Sequence, residues 1–162
     1  MLIILQTERL LLRNFKDDDL NSLFNYRNDP NCAKYQSWSN ASREHLQSFI
    51  EEEKNKTIKD ETVQLAIALK STNELIGDIY IAFKNKTITL GYTIAPKYQR
   101  KGYAYEILQA LICHLFKIFE EYEFVCMVHP ENEASKRLLK KLSFENEGYL
   151  KELDSVVYSL NK

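Results

Sequence analysis

The segment from residue 91 to residue 104 constrains the fold most, because a strand pattern there runs through a basic turn directly into a long amphipathic helix. The turn carries Gln99, Arg100 and Lys101, and the small residues Gly102 and Ala104 open the helix. The N–H groups of a helix's first turn have no partner within the helix, so they can approach an anion closely where side chains are small. The spacing fits an anion site of pyrophosphate size, and it also fits a solvated turn that caps an ordinary helix.

The helix after this turn leads into a second, wholly apolar strand. Between residues 102 and 119, apolar side chains recur every three or four residues, which predicts one buried helix face. The residues of this face are Ala104, Ile107, Leu108, Leu111, Leu115, Ile118 and Phe119. Residues 124–128 are typical of a buried strand, and a strand reached through a helical crossover pairs in parallel with the strand before it.

The rest of the chain alternates strands and helices without repeats or a linker. The predicted strands span residues 9–15, 62–70, 75–83, 87–94, 124–128, 144–150 and 155–160. The predicted helices begin after the acidic triplet 17–19, at Ser42, at Gly102 and at Asn132, with a loop over residues 28–40. The triplet 17–19 is interpreted as a helix cap, and the acidic run 51–53 as a solvated helix end. The strands between residues 62 and 94 form an antiparallel meander, and the element order is βααβββαβαββ.

Composition and charge limit the partners. A formal net charge of -1 provides no global positive field of the kind that binds nucleic acid or anionic membranes. The three cysteines form no C-x-x-C pair, which predicts free thiols in a reducing compartment and no metal site. The apolar opening is too short for a signal peptide, and no apolar run is long enough to span a bilayer. We therefore expect a cytoplasmic protein with one domain over residues 1–162 and with no nucleic-acid or membrane partner.

Five short motifs follow one another along the chain. Residues 7–13 read T-E-R-L-L-L-R, residues 28–30 N-D-P, residues 99–104 Q-R-K-G-Y-A, residues 132–135 N-E-A-S, and residues 142–148 L-S-F-E-N-E-G. In this order they resemble the GNAT superfamily of acetyl-CoA-dependent N-acetyltransferases, and in particular its RimJ/RimL-like branch of ribosomal-protein N-terminal acetyltransferases. Glu106 also stands in that branch's usual place. The resemblance implies a single α/β (α+β) domain with a mixed, mostly antiparallel central sheet, splayed central strands and helices on both faces.

The resemblance also implies acetyl-CoA as the cosubstrate. Free backbone groups of the strand that ends at Ile94 would bond the pantetheine arm, and amides of the following turn would hold the pyrophosphate. The side-chain amide of Asn132 would bond the cofactor arm, and Asn132 equally suits a helix N-cap. The implied cofactor-binding residues are Tyr92, Thr93, Ile94, Gln99, Arg100, Lys101, Gly102, Tyr103, Ala104 and Asn132. The basic residues of the helix over residues 136–141 either meet the 3′-phosphate or form a solvated face.

Acetyl transfer needs a neutral amine, a stabilised oxyanion and a proton for the leaving thiolate. Many family members supply that proton from a tyrosine five residues before the closing phenylalanine, but this chain has Leu139 there. The resemblance makes Ser135 the candidate donor, with water and the substrate ammonium itself as alternatives, although a serine so placed is more often a cap or bonds back to the helix. Glu147 is the first candidate for the general base, and His129 acting through water is the second. Ser143 replaces the usual glycine of the closing motif.

The sequence thus predicts transfer of an acetyl group from acetyl-CoA to a primary amine by direct attack in a ternary complex. The amine would belong to a protein N-terminus, a polyamine or a small molecule, and Tyr35 and Trp38 are candidates to line its pocket. The alternative is a catalytically degenerate module that binds acyl-CoA as a ligand or sensor. The sequence does not identify the acceptor, and it leaves both a monomer and a homodimer open.

Overall fold

Eight strands form a single mixed sheet in the computed structural model, which describes residues 2–36 and 41–161. The strands are β1 (Ile3–Gln6), β2 (Leu10–Arg13), β3 (Thr62–Leu69), β4 (Leu75–Lys84), β5 (Thr87–Ile94), β6 (Glu123–Val128), β7 (Glu145–Leu150) and β8 (Ser155–Leu160). Their order across the sheet is β1-β2-β3-β4-β5-β6-β8-β7. Strands β5 and β6 are parallel, as the crossover predicts, and the other neighbours are antiparallel.

Helices cover both faces of this sheet. They are α1 (Leu20–Arg27), α2 (Pro30–Ala33), α3 (Arg43–Glu53), α4 (Tyr103–Ile118) and α5 (Glu133–Lys141). On one face, which we call the α1–α3 face, Leu23, Leu46 and Ile50 pack with Ala66 and Leu75 of the sheet. On the other, the α4–α5 face, the apolar stripe of α4 and Leu139 of α5 pack on β2 to β6 and β8. The predicted fold class is therefore confirmed.

The structure adds two elements to the predicted order. The apolar opening of the chain forms the edge strand β1, which pairs with β2, and the predicted loop contains the short helix α2. Asp29 caps α2 by accepting a hydrogen bond from the Asn31 N–H at 2.8 Å. Each added element has four residues, too few for a periodic pattern to show. Ile118, expected on the buried face of α4, is 49% exposed because it is the last residue of that helix.

The acidic triplet 17–19 is interpreted from the sequence only as a helix cap, but Asp19 has a different role in the core. It is buried and forms a bidentate ion pair with Arg13, at 2.8 Å and 2.9 Å. Arg13 is completely buried, and its remaining N–H groups donate to the Asn14 carbonyl and to the side chain and carbonyl of Asn73. All five donors of the guanidinium are used, which is the condition under which a buried arginine is tolerated.

The prediction that the acidic run 51–53 is a solvated helix end is wrong for Glu53. Glu53 is buried, and its carboxylate accepts a hydrogen bond from the Gln64 N–H of β3 at 2.9 Å. It also pairs with Lys56 at 2.6 Å. Its partners come from a strand and a turn that follow α3, so helix periodicity alone gives no sign of this burial.

Ser143 ends α5 in the left-handed conformation, with φ at 72°. The Ser143 N–H donates to the Lys140 carbonyl and the Phe144 N–H donates to the Leu139 carbonyl, both at 3.0 Å. These two bonds form a Schellman motif, whose left-handed position favours glycine. The glycine usual in the closing motif is thus explained by backbone conformation, and serine occupies the position at some conformational cost.

Replacing Ser143 with glycine should therefore stabilise the protein by up to about 1 kcal/mol, because glycine adopts positive φ without a Cβ clash. Urea denaturation of both proteins measures the difference. Ser48→Gly is the matched control, because Ser48 is exposed within α3, where glycine should instead destabilise by about 0.5 kcal/mol. An unchanged or lower stability for Ser143→Gly would contradict the assignment of strain to this position.

Candidate active site

The pairing between the parallel strands β5 and β6 stops at Thr89 and Val125. Beyond that point β5 continues to Ile94, paired only with β4, and β6 continues to Val128, paired only with β8. Among the described strands, the facing backbone edges of residues 91–94 and 126–128 thus have no ladder partner across the sheet. The expected splay is present, and backbone groups on those edges are available to a ligand that enters as an added strand would.

The far end of β5 is tied to the turn that follows it. The Gln99 Nε2 group donates to the Ile94 carbonyl at 2.9 Å, and the Cys32 thiol lies 3.7 Å from the same oxygen. The Ile94 carbonyl is therefore already partnered, contrary to the expectation that it is free. Tyr92 remains the candidate for backbone contact in the gap. The backbone groups of Thr93 face β4, where Thr93 pairs with Asp78, contrary to the expectation that they are free.

The basic turn leaves the start of α4 uncapped. Arg100 and Gly102 both have positive φ, at 61° and 80°, which curls the turn so that Gly102 becomes the N-cap. No side chain in the described part of the chain caps this helix, and residues 99–102 are exposed. The N–H groups of Tyr103 and Ala104 in the first turn thus lack an acceptor within the helix. The turn and the helix start have the geometry of an anion site.

Glu106 anchors this turn to the segment before β2. Its carboxylate accepts hydrogen bonds from the Thr7 hydroxyl at 2.5 Å, the Arg9 N–H at 3.0 Å and the Arg9 Nε at 2.7 Å. Arg9 also donates to the Lys101 carbonyl at 3.0 Å, and its guanidinium lies over the Tyr103 ring. Partial burial favours protonation of Glu106, but the hydrogen bonds from Thr7 and Arg9 outweigh it, and the pKa of Glu106 is lowered. The T-E-R motif and Glu106 therefore act together to fix the turn.

On the α4–α5 face, Tyr92 meets the first turn of α5. Alternation along β5 places Tyr92 on the same face as Leu90 and Ile94, and its hydroxyl is hydrogen-bonded to the Ser135 hydroxyl. Burial raises the pKa of Tyr92. The Ser135 N–H donates to Asn132 Oδ1 at 3.2 Å, so Asn132 is the N-cap of α5, and its amide NH₂ has no acceptor among the residues that the structure describes. The contact between Tyr92 and Ser135 was not predicted.

Leu139, which stands where many family members have tyrosine, is fully buried in the core of the α4–α5 face. A different tyrosine, Tyr92 of β5, places its hydroxyl against α5, the helix that carries Leu139. Sequence alternation along β5 is a signal for the face that Tyr92 occupies, but its partner on α5 depends on how α5 packs.

Glu147 lies on the opposite face of the sheet. The register of β7 on β8 shifts between Asn146 and Gly148, so Glu147 is the extra residue of a bulge. Asn146 Oδ1 accepts from the Gly148 N–H at 2.8 Å, and Gly148 has φ at 112°. The Ser159 hydroxyl donates to Glu147 Oε1 at 2.6 Å. Bulges redirect side chains in this way near active sites.

The position of Ser159 relates Glu147 to the gap. Ser159 pairs with Val125, and Val125 pairs with Thr89, the last residue of β5 that is joined to β6. Directly opposed side chains share a face, so this row lies on the α1–α3 face. Strands are spaced about 4.8 Å apart, which places Ser159 about 10 Å from Thr89.

Helices α1 to α3 leave the α1–α3 face open around this row, within the part of the chain that the structure describes. Helices α1 to α3 pack over β3 and β4, whereas Tyr80 and Met127 are 38% and 45% exposed, and Val125 and Val157 are half-buried. These four side chains form an open floor that is largely apolar. A floor beside a gap in the sheet, with the carboxylates of Glu147 and Glu145 at its side, is suited to hold an amine.

Two further candidates have structural partners. The Tyr35 hydroxyl donates to the Glu131 carbonyl at 3.3 Å, and its ring centroid lies 4.8 Å from that of His129. His129 Nδ1 accepts from the Glu131 N–H at 3.1 Å. Tyr35 therefore joins α2 to the loop after β6, at the far end of the gap. Trp38, the other predicted pocket residue, lies outside the described residues.

Asp78 is a buried carboxylate that the sequence analysis did not single out. It lies on the α1–α3 face of β4 and accepts hydrogen bonds from the Tyr26 hydroxyl, from Arg27 at 3.2 Å and from Gln64 at 2.7 Å. Burial raises the pKa of Tyr26. An acidic residue amid the apolar residues of a central strand was the available signal. These bonds hold α1 on β4, beside Thr93, which pairs with Asp78.

The basic face of α5 is partly engaged. Lys136 pairs with Glu133 at 3.2 Å, and Lys141 Nζ lies 4.2 Å from the centroid of the Tyr105 ring. Arg137 and Lys140 are exposed. Contact of this face with a 3′-phosphate stays a prediction.

The three cysteines are free thiols, as predicted. Burial raises the pKa of Cys32 and of Cys126 to about 12. Within residues 2–36 and 41–161, no group of three or more His, Cys, Asp or Glu side chains is arranged to hold a metal ion. No helix of that same part of the chain is long and apolar enough to cross a membrane.

Comparison with known proteins agrees with this geometry. The chain is 33% identical over 147 residues to YnaD, an uncharacterized N-acetyltransferase of Bacillus subtilis (strain 168), with 90% of this chain and 84% of YnaD covered. It is 28% identical over 149 residues to spermidine N(1)-acetyltransferase of Vibrio cholerae, with 89% and 83% covered. The fold matches RimL, a ribosomal-protein α-N-acetyltransferase solved in complex with coenzyme A, at a TM-score of 0.83 and 20% identity, over 98% and 97% of the two chains.

The acetyltransferase (GNAT) domain family matches residues 9–145 of this chain. That span runs from Arg9, which fixes the turn before α4, through the gap between β5 and β6, to the first residue of β7. The turn, the gap and the helix α5 that define the candidate site all lie within it. The chain belongs to the GNAT family of N-acetyltransferases.

Proposed function

We propose that this N-acetyltransferase binds acetyl-CoA in the gap between β5 and β6 and transfers the acetyl group to a primary amine held on the α1–α3 face. The observation that carries this proposal is the gap itself, which ends at the uncapped start of α4. Such a gap can hold an extended arm that binds as an added strand would, and the helix start can hold the pyrophosphate that follows the arm. The single domain over residues 1–162 and the cytoplasmic location stay predictions.

The cofactor would be held mainly by backbone. The free backbone groups of Tyr92 would bond the pantetheine arm, and the N–H groups at the start of α4 would bond the pyrophosphate. Arg100 and Lys101 would add surface charge, and the free amide of Asn132 would bond the arm. No metal is needed for this binding mode.

The amine must lose a proton before or during attack. At pH 7 deprotonation of a lysine-like amine costs about 4 to 5 kcal/mol, whereas an α-amine with a pKa near 8 costs only about 1 to 2 kcal/mol. Glu147, turned by its bulge to the α1–α3 face, would accept that proton through intervening water. A base on this face suits an amine that approaches the thioester from the side opposite to α5.

Negative charge develops on two atoms of the thioester during the reaction, first on the carbonyl oxygen and then on the sulfur. A free N–H of the β5 edge would bind the oxyanion, an interaction worth about 3 kcal/mol when it is preorganised. Ser135, on the α4–α5 face, would donate a hydrogen bond to the leaving thiolate. The base and the donor therefore lie on opposite faces of the sheet.

The floor indicates the kind of acceptor. Tyr80, Val125, Met127 and Val157 offer apolar contact, and Glu147 and Glu145 supply carboxylates at the side of the floor. The apolar floor suits an amine with an apolar neighbour, as at a protein N-terminus, while Glu147 and Glu145, which share this face, also suit a polyamine. The relative that acetylates spermidine keeps the polyamine class in the test.

The experiment is a panel of amines assayed by release of the free CoA thiol from acetyl-CoA. The panel contains peptides with free apolar N-terminal residues, spermidine, small primary amines, and the same peptides with blocked N-termini as controls. We expect release with the free peptides and none with the blocked ones. Binding of acetyl-CoA without release for any amine would instead support the degenerate acyl-CoA-binding module.

Gly102→Val should weaken CoA binding by at least about tenfold, because a branched side chain at the start of α4 fills the space that the phosphates need. Titration calorimetry with CoA measures the change. Asn85→Val is the matched control, since Asn85 also has positive φ, at 51°, but lies in the turn between β4 and β5. The control should lose stability and keep its CoA affinity. Unchanged affinity in folded Gly102→Val would refute this placement of the pyrophosphate.

Glu147→Gln should lower kcat/KM by about ten- to a hundredfold at pH 7, because the amide cannot accept the amine's proton. The loss should shrink as the pH approaches the pKa of the amine, where the free base no longer needs help. Glu145→Gln is the control, since Glu145 lies opposite Ser159 in register but the Ser159 hydroxyl donates to Glu147. A pH–rate profile that is the same for Glu147→Gln and the unmodified protein would eliminate Glu147 as the base.

A further inference from the structure

We propose that the Tyr92 hydroxyl donates its hydrogen bond to Ser135 Oγ and so directs the Ser135 proton at the sulfur of CoA. Tyr92 is then a positioning residue for the leaving group, acting through its side chain as well as its backbone. This inference rests on the proposed function, because it concerns the same gap and the same cofactor.

The position of Tyr92 in the sheet supports this role. Tyr92 lies three residues beyond Thr89, where β5 has already separated from β6, and its ladder partner is Ile79 of β4. Its side chain points to the α4–α5 face and reaches the first turn of α5. Both hydroxyls therefore border the gap that would receive the pantetheine arm.

The direction of the hydrogen bond between Tyr92 and Ser135 follows from which hydroxyl is the better donor and from the other partners open to Ser135. A serine in the first turns of a helix commonly bonds back to a helix carbonyl, which would turn its proton away from the gap. Among the described residues, Ser135 Oγ is instead partnered by Tyr92. A phenol is the more acidic of the two hydroxyls and the better donor. When Tyr92 donates, the Ser135 hydrogen is free for a third group.

The chemistry balances without ionising either hydroxyl. The C–N bond forms and the C–S bond breaks with its electron pair on sulfur, while the amine proton passes through intervening water to Glu147. The thiolate is held by the Ser135 O–H, whose oxygen accepts from Tyr92. It then takes a proton from solvent, because a thiol with a pKa of about 8.5 is mostly protonated at pH 7. Burial raises the pKa of Tyr92, so Tyr92 keeps its own proton throughout.

The test measures the thiol of bound CoA and needs no turnover. CoA is labelled with ¹³C on the carbon beside its sulfur, and the pKa of its thiol is followed by NMR. The measurement is made in complexes with the unmodified protein, Tyr92→Phe and Ser135→Ala. A hydrogen bond to the charged form lowers a pKa, so both variants should raise the bound thiol pKa by about 0.5 to 1 unit. Tyr158→Phe, a buried tyrosine of β8 on the same face, is the control and should change nothing.

Kinetics supply the second measurement. With an amine from the panel, Ser135→Ala should lower kcat by about ten- to a hundredfold and Tyr92→Phe by about tenfold, with KM for acetyl-CoA within about twofold. The double variant should match Ser135→Ala, because Tyr92 acts only through Ser135. If Tyr92→Phe does not fold, 3-fluorotyrosine at position 92 replaces it and, as the stronger donor, should lower the bound thiol pKa.

The outcomes separate this inference from the proposed function. An unchanged bound thiol pKa in Tyr92→Phe, or losses in kcat that add up in the double variant, would overturn the role of Tyr92 alone. Absence of CoA release with every amine would overturn the proposed acetyl transfer, while the NMR titration would still decide the hydrogen bond. Failure of the unmodified protein to bind CoA would overturn both.

Discussion

The loss of pairing between β5 and β6 after Thr89 and Val125 is the constraint on which the rest of the site depends. Parallel neighbours need a crossover, and α4 supplies it, so the end of β5 and the start of α4 must both lie at the mouth of the gap. The turn between them is held by Glu106 and Arg9, which lie outside the turn itself. A single interruption in the ladder thus creates the cleft and places a helix start at its entrance.

The remaining polar contacts of the core serve to keep each layer in place around that interruption. Arg13 and Asp19 join the chain before α1 to the β3–β4 turn, and Asp78 holds α1 against β4. Each of these buried charges is paired and hydrogen-bonded, as buried ions must be. Because α1 to α3 are fixed in this way over β3 and β4, the floor around Met127 stays uncovered.

The sequence predicted the elements whose patterns are long, namely the meander from β3 to β5, the stripe of α4 and the buried β6. It missed β1 and α2, which are short, and it misjudged Asp19 and Glu53, whose partners lie on other elements. The anion turn was predicted from local chemistry, because the atoms of a helix start are local. The pairing of Tyr92 with Ser135 was not, since the two residues are 43 positions apart and meet only when α5 docks.

Because the bulge turns Glu147 to the α1–α3 face, the sheet separates the binding surface of the acceptor from the groups that contact the cofactor's sulfur. In the proposed arrangement the cofactor arm fills the gap, the acceptor rests on the α1–α3 face, and the leaving-group contacts lie behind it on the α4–α5 face. Neither ligand has to leave before the other arrives, so both can be bound together without a covalent acetyl-enzyme. Free CoA would then compete with acetyl-CoA for the gap and leave the acceptor's own surface vacant, which is the product-inhibition pattern of a sequential mechanism.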